Sequence, residues 1–170
     1  GAQPVVGLSD AREGASFFHR RIVKVRKGTH ATDRYLDLAR DLGAVVNEDA
    51  LEWPLPQGIP PAREIPERFI LLHPFSRGEG KSLGREALQA LCDSLAPNTV
   101  VLAGVVPEPP LISGPHVRSL LNETSIAQLI WLLRRARAIV STDSGPMHIA
   151  AAVQPARTIG IHTWSDPRCV

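Results

Sequence analysis

Two short stretches carry the residue types that grip an anion. The first is Ser141–Val153, STDSGPMHIAAAV, which follows the apolar run Ala138-Ile139-Val140. That run reads as a buried strand, Asp143 to Pro146 as a tight turn, and Met147–Val153 as a helix of small residues. The first turn of a helix has N–H groups without partners, and the helix dipole places partial positive charge there. Gly145 lets a ligand come close to the backbone, and Pro146 suits a first helical position, where no N–H is needed. Asp143 falls at the carboxyl end of the strand, where ligands bind in open parallel sheets. The competing assignment is that Asp143 or Ser144 is only the helix N-cap.

The second stretch is Pro74–Ser82, PFSRGEGKS, which also leaves a strand. It offers Ser76, Arg77 and Lys81 among two glycines. A lysine here is a mobile positive point charge suited to a phosphate, and in a parallel sheet this loop shares a rim with Asp143. Gly80-Lys81-Ser82 is not a Walker motif, because the position five before Gly80 is Phe75. Lys81 in open solvent is the ordinary alternative, but the two loops together favour a phosphate-bearing ligand held between them.

Other chemistry is less marked. The net charge of +2 over 170 residues gives no argument for nucleic acid. Cys92 and Cys169 are widely spaced and fit no metal-ligand pattern, which suggests a reducing compartment and no disulfide framework. No apolar run approaches the ~20 residues that span a bilayer, and no secretory signal is visible at the N-terminus. The basic cluster Arg20, Arg21, Lys24, Arg26 and Lys27 suits an anionic acceptor or a membrane surface, although such runs are more often solvated faces. The first residue is Gly rather than Met, so the natural start is expected upstream.

The positioning elements follow from pattern. Pro4–Leu8 and Arg21–Val25 read as short strands, and Ala31–Leu42 as an amphipathic helix with Tyr35, Leu38, Ala39 and Leu42 on one face and Gly43 as its stop. Residues 47–66, acidic and then Pro-rich, read as a linker and mark a domain boundary. Beyond it, strands are expected at 68–73, 99–104, 117–120, 138–141 and 156–162. Helices are expected at 83–95, from Thr124 or Ser125 onward, and from Met147. Ile126, Leu129, Ile130 and Leu133 form the apolar face of the middle helix, and Arg134, Arg135 and Arg137 complement the dipole at its end. The near-continuous apolar strands and the strand–helix alternation give an α/β class with a doubly wound parallel sheet.

Four segments in order, Phe69–Lys81 (FILLHPFSRGEGK), Ser125–Val140 (SIAQLIWLLRRARAIV), Ser141–Ala151 (STDSGPMHIAA) and His162–Arg168 (HTWSDPR), together resemble glycosyltransferase family 9, the family of the ADP-heptose:lipopolysaccharide heptosyltransferases. Upstream, Gly28–Leu42 (GTHATDRYLDLARDL) resembles the family's H-A-(V/T)-(D/E)-R segment. The resemblance implies a GT-B fold of two Rossmann-like domains. Residues 1–62 would be the end of the acceptor-side N-terminal domain plus linker, and 63–170 the nucleotide-sugar domain, truncated at its C-terminus.

By position, the resemblance gives Ser76 and Lys81 to the donor phosphates, with Arg77 beside them, and Asp143 to the donor sugar. Ser144, Gly145, Pro146, Met147 and His148 match the turn and helix start whose backbone amides bind the diphosphate, and Glu108 is given to the ribose, although the loop VVPEPP differs in shape. It leaves Asp166 without a role. Lys81 and the amides would stabilise the leaving diphosphate without a metal or other cofactor. The family's aspartate base is expected upstream of Gly1. Asp10 falls in the wrong part of the pattern for that role, and His148 and His73 are better read as binding or structural groups. The piece alone is therefore expected to bind without transferring.

The implied activity is inverting transfer of a sugar, heptose, from ADP-heptose to a lipid-linked or saccharide acceptor of the lipopolysaccharide-core type. It implies a cytoplasmic protein with a peripheral contact at the inner membrane. The rivals are another GT-B enzyme using a UDP-sugar and a non-catalytic nucleotide-binding fragment.

Overall fold

A computed structural model describes residues 5–48 and 52–169. Pro4 of the first expected strand, residues 49–51 of the expected linker, and Val170 lie outside the described residues. The chain divides into two compact units, residues 1–52 with 165–170, and residues 53–164.

In the larger unit, five strands form one parallel sheet: β3 (Ile70–His73), β4 (Val100–Gly104), β5 (Val117–Leu121), β6 (Ala138–Thr142) and β7 (Thr158–Ile161), in the spatial order β5-β4-β3-β6-β7. The helices are α2 (Arg85–Ser94), α3 (Ile126–Arg135) and α4 (Gly145–Val153). Strand alternation divides the core into two layers. Leu71, Val101, Ala103 and Ile139 pack with Leu129, Leu132 and Leu133 of α3 and with Ala150 of α4. Ile70, Leu72, Val100 and Leu102 pack on the other side with Leu88 and Cys92 of α2. Both faces of β3 and β4 are therefore covered, which is why these strands are buried at every position and, His73 apart, carry no polar side chain. The sheet is the doubly wound α/β layer expected.

The strand order reverses between β3 and β6. The chain leaves β3 towards β4 on one side, and leaves β6 towards β7 on the other. Their following loops diverge and open a crevice at the carboxyl ends, the usual ligand position in such sheets.

α3 starts on a capping box, with the Ser125 Oγ accepting from the Gln128 N–H and the Gln128 side chain accepting from the Ser125 N–H. Its buried face is Leu129, Ile130, Leu132 and Leu133. Ile126, expected inside, is exposed at the first helical position, and Leu132 takes the place in the core. Of the three arginines at its end, Arg134 does more than complement the dipole, because its guanidinium donates to the carbonyls of Leu55 and Pro56. Arg135 lies over the Trp131 ring at 4.3 Å.

The Pro-rich stretch is consequently not free: Ile59 N–H also donates to Ala127 O, and Gly58, at φ +77°, lies so close to the α3 backbone that a side chain there would collide with it.

The smaller unit has a parallel pair, β1 (Val6–Leu8) and β2 (Arg21–Val23), a 3-10 turn at Ala15–Phe18, and α1 (Ala31–Asp41). The His30 ring accepts from Thr32 N–H at the start of α1, and Gly43, at φ +93°, follows its end. The helix forms as expected, but its apolar face is not buried. Tyr35 and Leu42 are exposed, because two short strands cover too little of it. Among the described residues, no helix is long and apolar enough to cross a membrane.

Candidate functional site

The crevice at the strand reversal brings the two anion-seeking stretches together. Lys81 Nζ lies 2.8 Å from Asp143 Oδ2. Asp143 is buried, with 8% of its side chain exposed, and Lys81 keeps 24%. A carboxylate this buried requires a partner, and the lysine loop supplies it. His148 Nε2 stands 3.9 Å from the second carboxylate oxygen, Oδ1. The Ser76 hydroxyl donates to the backbone carbonyl of Asp143 at 3.2 Å, a second tie between the loops.

The lysine loop is closed upon itself. Ser82 Oγ accepts from Ser76 N–H and donates to Ser76 O, Lys81 N–H reaches Gly78 O, and Leu83 N–H reaches Pro74 O. Gly80 takes φ +72° within this turn, a conformation that suits glycine.

Ser144 occupies the N-cap position of α4, yet its hydroxyl donates to Thr142 O and caps no helical N–H. Asp143 is engaged with Lys81, and Pro146 sits in the first turn as expected. The N-cap residue itself therefore gives this helix start no side-chain cap. Its amide complement is smaller than the sequence suggested, however. Pro146 has no N–H, and those of Met147 and His148 already donate to Ser144 O, at 3.0 and 3.4 Å. Met147 is buried. Gly145 is exposed, and a side chain added there would meet nothing, so the backbone is open to a ligand at that point.

Beside these groups lies a cavity of about 600 Å³. Its walls include Phe75, Val105, Ile126, Leu129 and Ile149, with hydroxyls from Thr124, Ser125 and Ser144. Arg77 is exposed at its mouth. His73, at the carboxyl end of β3, also lines it with only 7% of its surface exposed, and its Nδ1 has no hydrogen-bond partner. Burial pulls its pKa below the ordinary histidine value, because desolvation disfavours the charged ring. Gly104, at φ +147°, lies against this ring and against Phe75.

Glu108 is not brought to this cavity; it is exposed in the loop after β4. Asp166 and Arg168 form a two-point ion pair that draws the Asp166 carboxyl down to about 2, and Asp10 is paired with Arg34 at 2.7 Å. Among the described residues, no three His, Cys, Asp or Glu side chains gather in a metal-binding group.

Sequence reasoning did not single out the apolar wall or Trp164. This exposed tryptophan has its ring centroid 5.8 Å from Lys81 Nζ. The wall is assembled from four separate segments, which no local pattern reveals. Trp164 stood in a quoted motif, but nothing in its spacing told which way it faces.

The profile of glycosyltransferase family 9 (heptosyltransferase) matches residues 110–170. No curated protein sequence matches the chain. Among solved structures, the Escherichia coli heptosyltransferase WaaC with ADP is similar at a TM-score of 0.66 and 23% identity, over 93% of this chain and 52% of that one. WaaC with ADP-2-deoxy-2-fluoro heptose gives 0.62 and 21%, over 90% and 51%. A family 9 glycosyl transferase from Veillonella parvula DSM 2008 gives 0.58 and 15%, over 95% and 57%. The chain spans about half the length of these structures. They share its fold, the Rossmann-like layering of the GT-B class. The matched segment holds β6, the Asp143 turn and α4, so it is this part of the chain that is similar to glycosyltransferase family 9.

Proposed function

We propose that the crevice between the β3 and β6 loops binds a nucleotide-sugar donor, ADP-heptose, for inverting transfer of the sugar to an acceptor of the lipopolysaccharide-core type. The single observation that carries this is the convergence of Lys81 and Asp143, 2.8 Å apart, at the start of α4, whose N-cap residue Ser144 makes no side-chain cap. Lys81 is suited to meet the charge that grows on a departing diphosphate, and the open backbone at Gly145 admits a phosphate oxygen. The apolar cavity is of a size and character suited to a nucleobase. We assign the sugar hydroxyls to Asp143, which has His148 beside it. The likeness to WaaC structures holding ADP and an ADP-heptose analogue supports the same choice of donor. We place the reaction at the cytoplasmic face of a membrane that carries a lipid-linked acceptor.

Calorimetric titration of this chain with ADP and with UDP tests the reading. Binding of ADP in preference to UDP is the expected result. Preference for UDP would assign the site to a different nucleotide sugar, and failure to bind either would remove the proposal.

A further inference from the structure

We infer that Trp164 is the sugar-facing wall of this site, a role that rests on the nucleotide-sugar reading and extends it. β7 is the neighbour of β6 in a parallel sheet, so the residues that follow it, His162-Thr163-Trp164, emerge on the rim that carries Asp143. The Thr163 hydroxyl donates to Gly80 O at 3.0 Å, which ties this segment to the lysine loop. The Trp164 ring then stands 5.8 Å from Lys81 Nζ, while the same ammonium bonds Asp143.

An indole exposed over 83% of its surface leaves a large apolar face uncovered. A sugar ring is the matching surface. Its C–H faces are weakly positive and apolar, so they lie well on an electron-rich indole, while its hydroxyls point outward to polar partners. The rim provides those partners in the Asp143 carboxylate and the His148 imidazole. The nucleobase has its own apolar cavity, lined by Phe75, Val105 and Ile149 among others, which leaves the indole for the sugar end of the donor.

The test compares ADP with ADP-heptose, by calorimetry, on the full chain and its Trp164→Ala and Trp164→Phe variants. Because Trp164 is exposed, both variants are expected to melt as the parent does. Trp164→Ala should weaken ADP-heptose by about tenfold and change ADP by less than about twofold, with Trp164→Phe in between. Equal weakening of both ligands would overturn the inference, since the ring would then act on the nucleotide or only steady Lys81. Unchanged affinity for both would overturn it as well. If the parent chain binds neither ligand, the nucleotide-sugar reading itself fails, and this inference falls with it.

Discussion

Lys81 and Asp143, 62 residues apart in sequence, meet at 2.8 Å where the strand order reverses. The lysine that a diphosphate would recruit is therefore already held by the carboxylate that a sugar would recruit. On the proposed reading, an arriving donor would compete for both partners at once, exchanging one internal ion pair for two contacts of its own. A bare diphosphate would gain only the first of these.

This arrangement separates the two ligands. Asp143→Asn releases Lys81, so ADP is expected to bind about fivefold tighter, the equivalent of one partly exposed ion pair. The same variant should bind ADP-heptose less tightly relative to ADP than the parent does, because the carboxylate is lost as a hydroxyl acceptor. Calorimetry on both ligands checks the opposite signs.

Lys81→Ala should weaken ADP by about tenfold or more. It also removes the lysine partner of a buried carboxylate. Because Lys81 keeps 24% exposure, the expected loss of stability is about 2 kcal/mol, below the range for a fully buried pair. Adding Asp143→Asn should restore most of that stability without restoring ADP binding. Thermal denaturation and titration of the single and double variants distinguish the two effects.

The two serines before helices should behave differently, although both precede helices by the same rule. Ser125→Ala removes a capping box and should cost about 1 kcal/mol. Ser144 caps no helical N–H, so Ser144→Ala should cost well under half of that. Chemical denaturation of the two variants measures the difference.

The buried ring of His73 makes stability depend on pH. Burial lowers its folded-state pKa from the ordinary 6.5, so on acidification the unfolded chain takes up this proton before the folded chain does. The group's contribution is fully present above about pH 6.5 and is lost as the pH falls through that value towards the folded pKa. Melting temperatures measured across that interval should fall more steeply for the parent than for His73→Gln.

Much of this was legible in the sequence for identifiable reasons. The sheet strands showed as apolar runs because Leu71, Leu72, Val101 and Leu102 are buried between two layers of helices. Lys81 and Asp143 could be assigned to one rim because every strand of a parallel sheet ends on the same side. What depended on three-dimensional closure was hidden. Helix periodicity put Ile126 in the core, but at the first position of α3 it is exposed and lines the cavity wall. The amides of Met147 and His148 looked available until the turn brought Ser144 O beneath them. The Pro-rich stretch was legible only as a linker, because the guanidinium that fastens it, Arg134, lies almost eighty residues away. Glu108 was assigned by resemblance alone, and the loop that carries it leaves it exposed outside the cavity lining.

The most direct measurement is a crystal structure of the chain with ADP bound. The expected result has Lys81 Nζ within hydrogen-bond distance of the diphosphate and drawn off Asp143, with a phosphate oxygen at the Gly145 backbone and the base in the cavity beside Phe75. A diphosphate bound elsewhere, with the Lys81–Asp143 pair intact, would contradict the account.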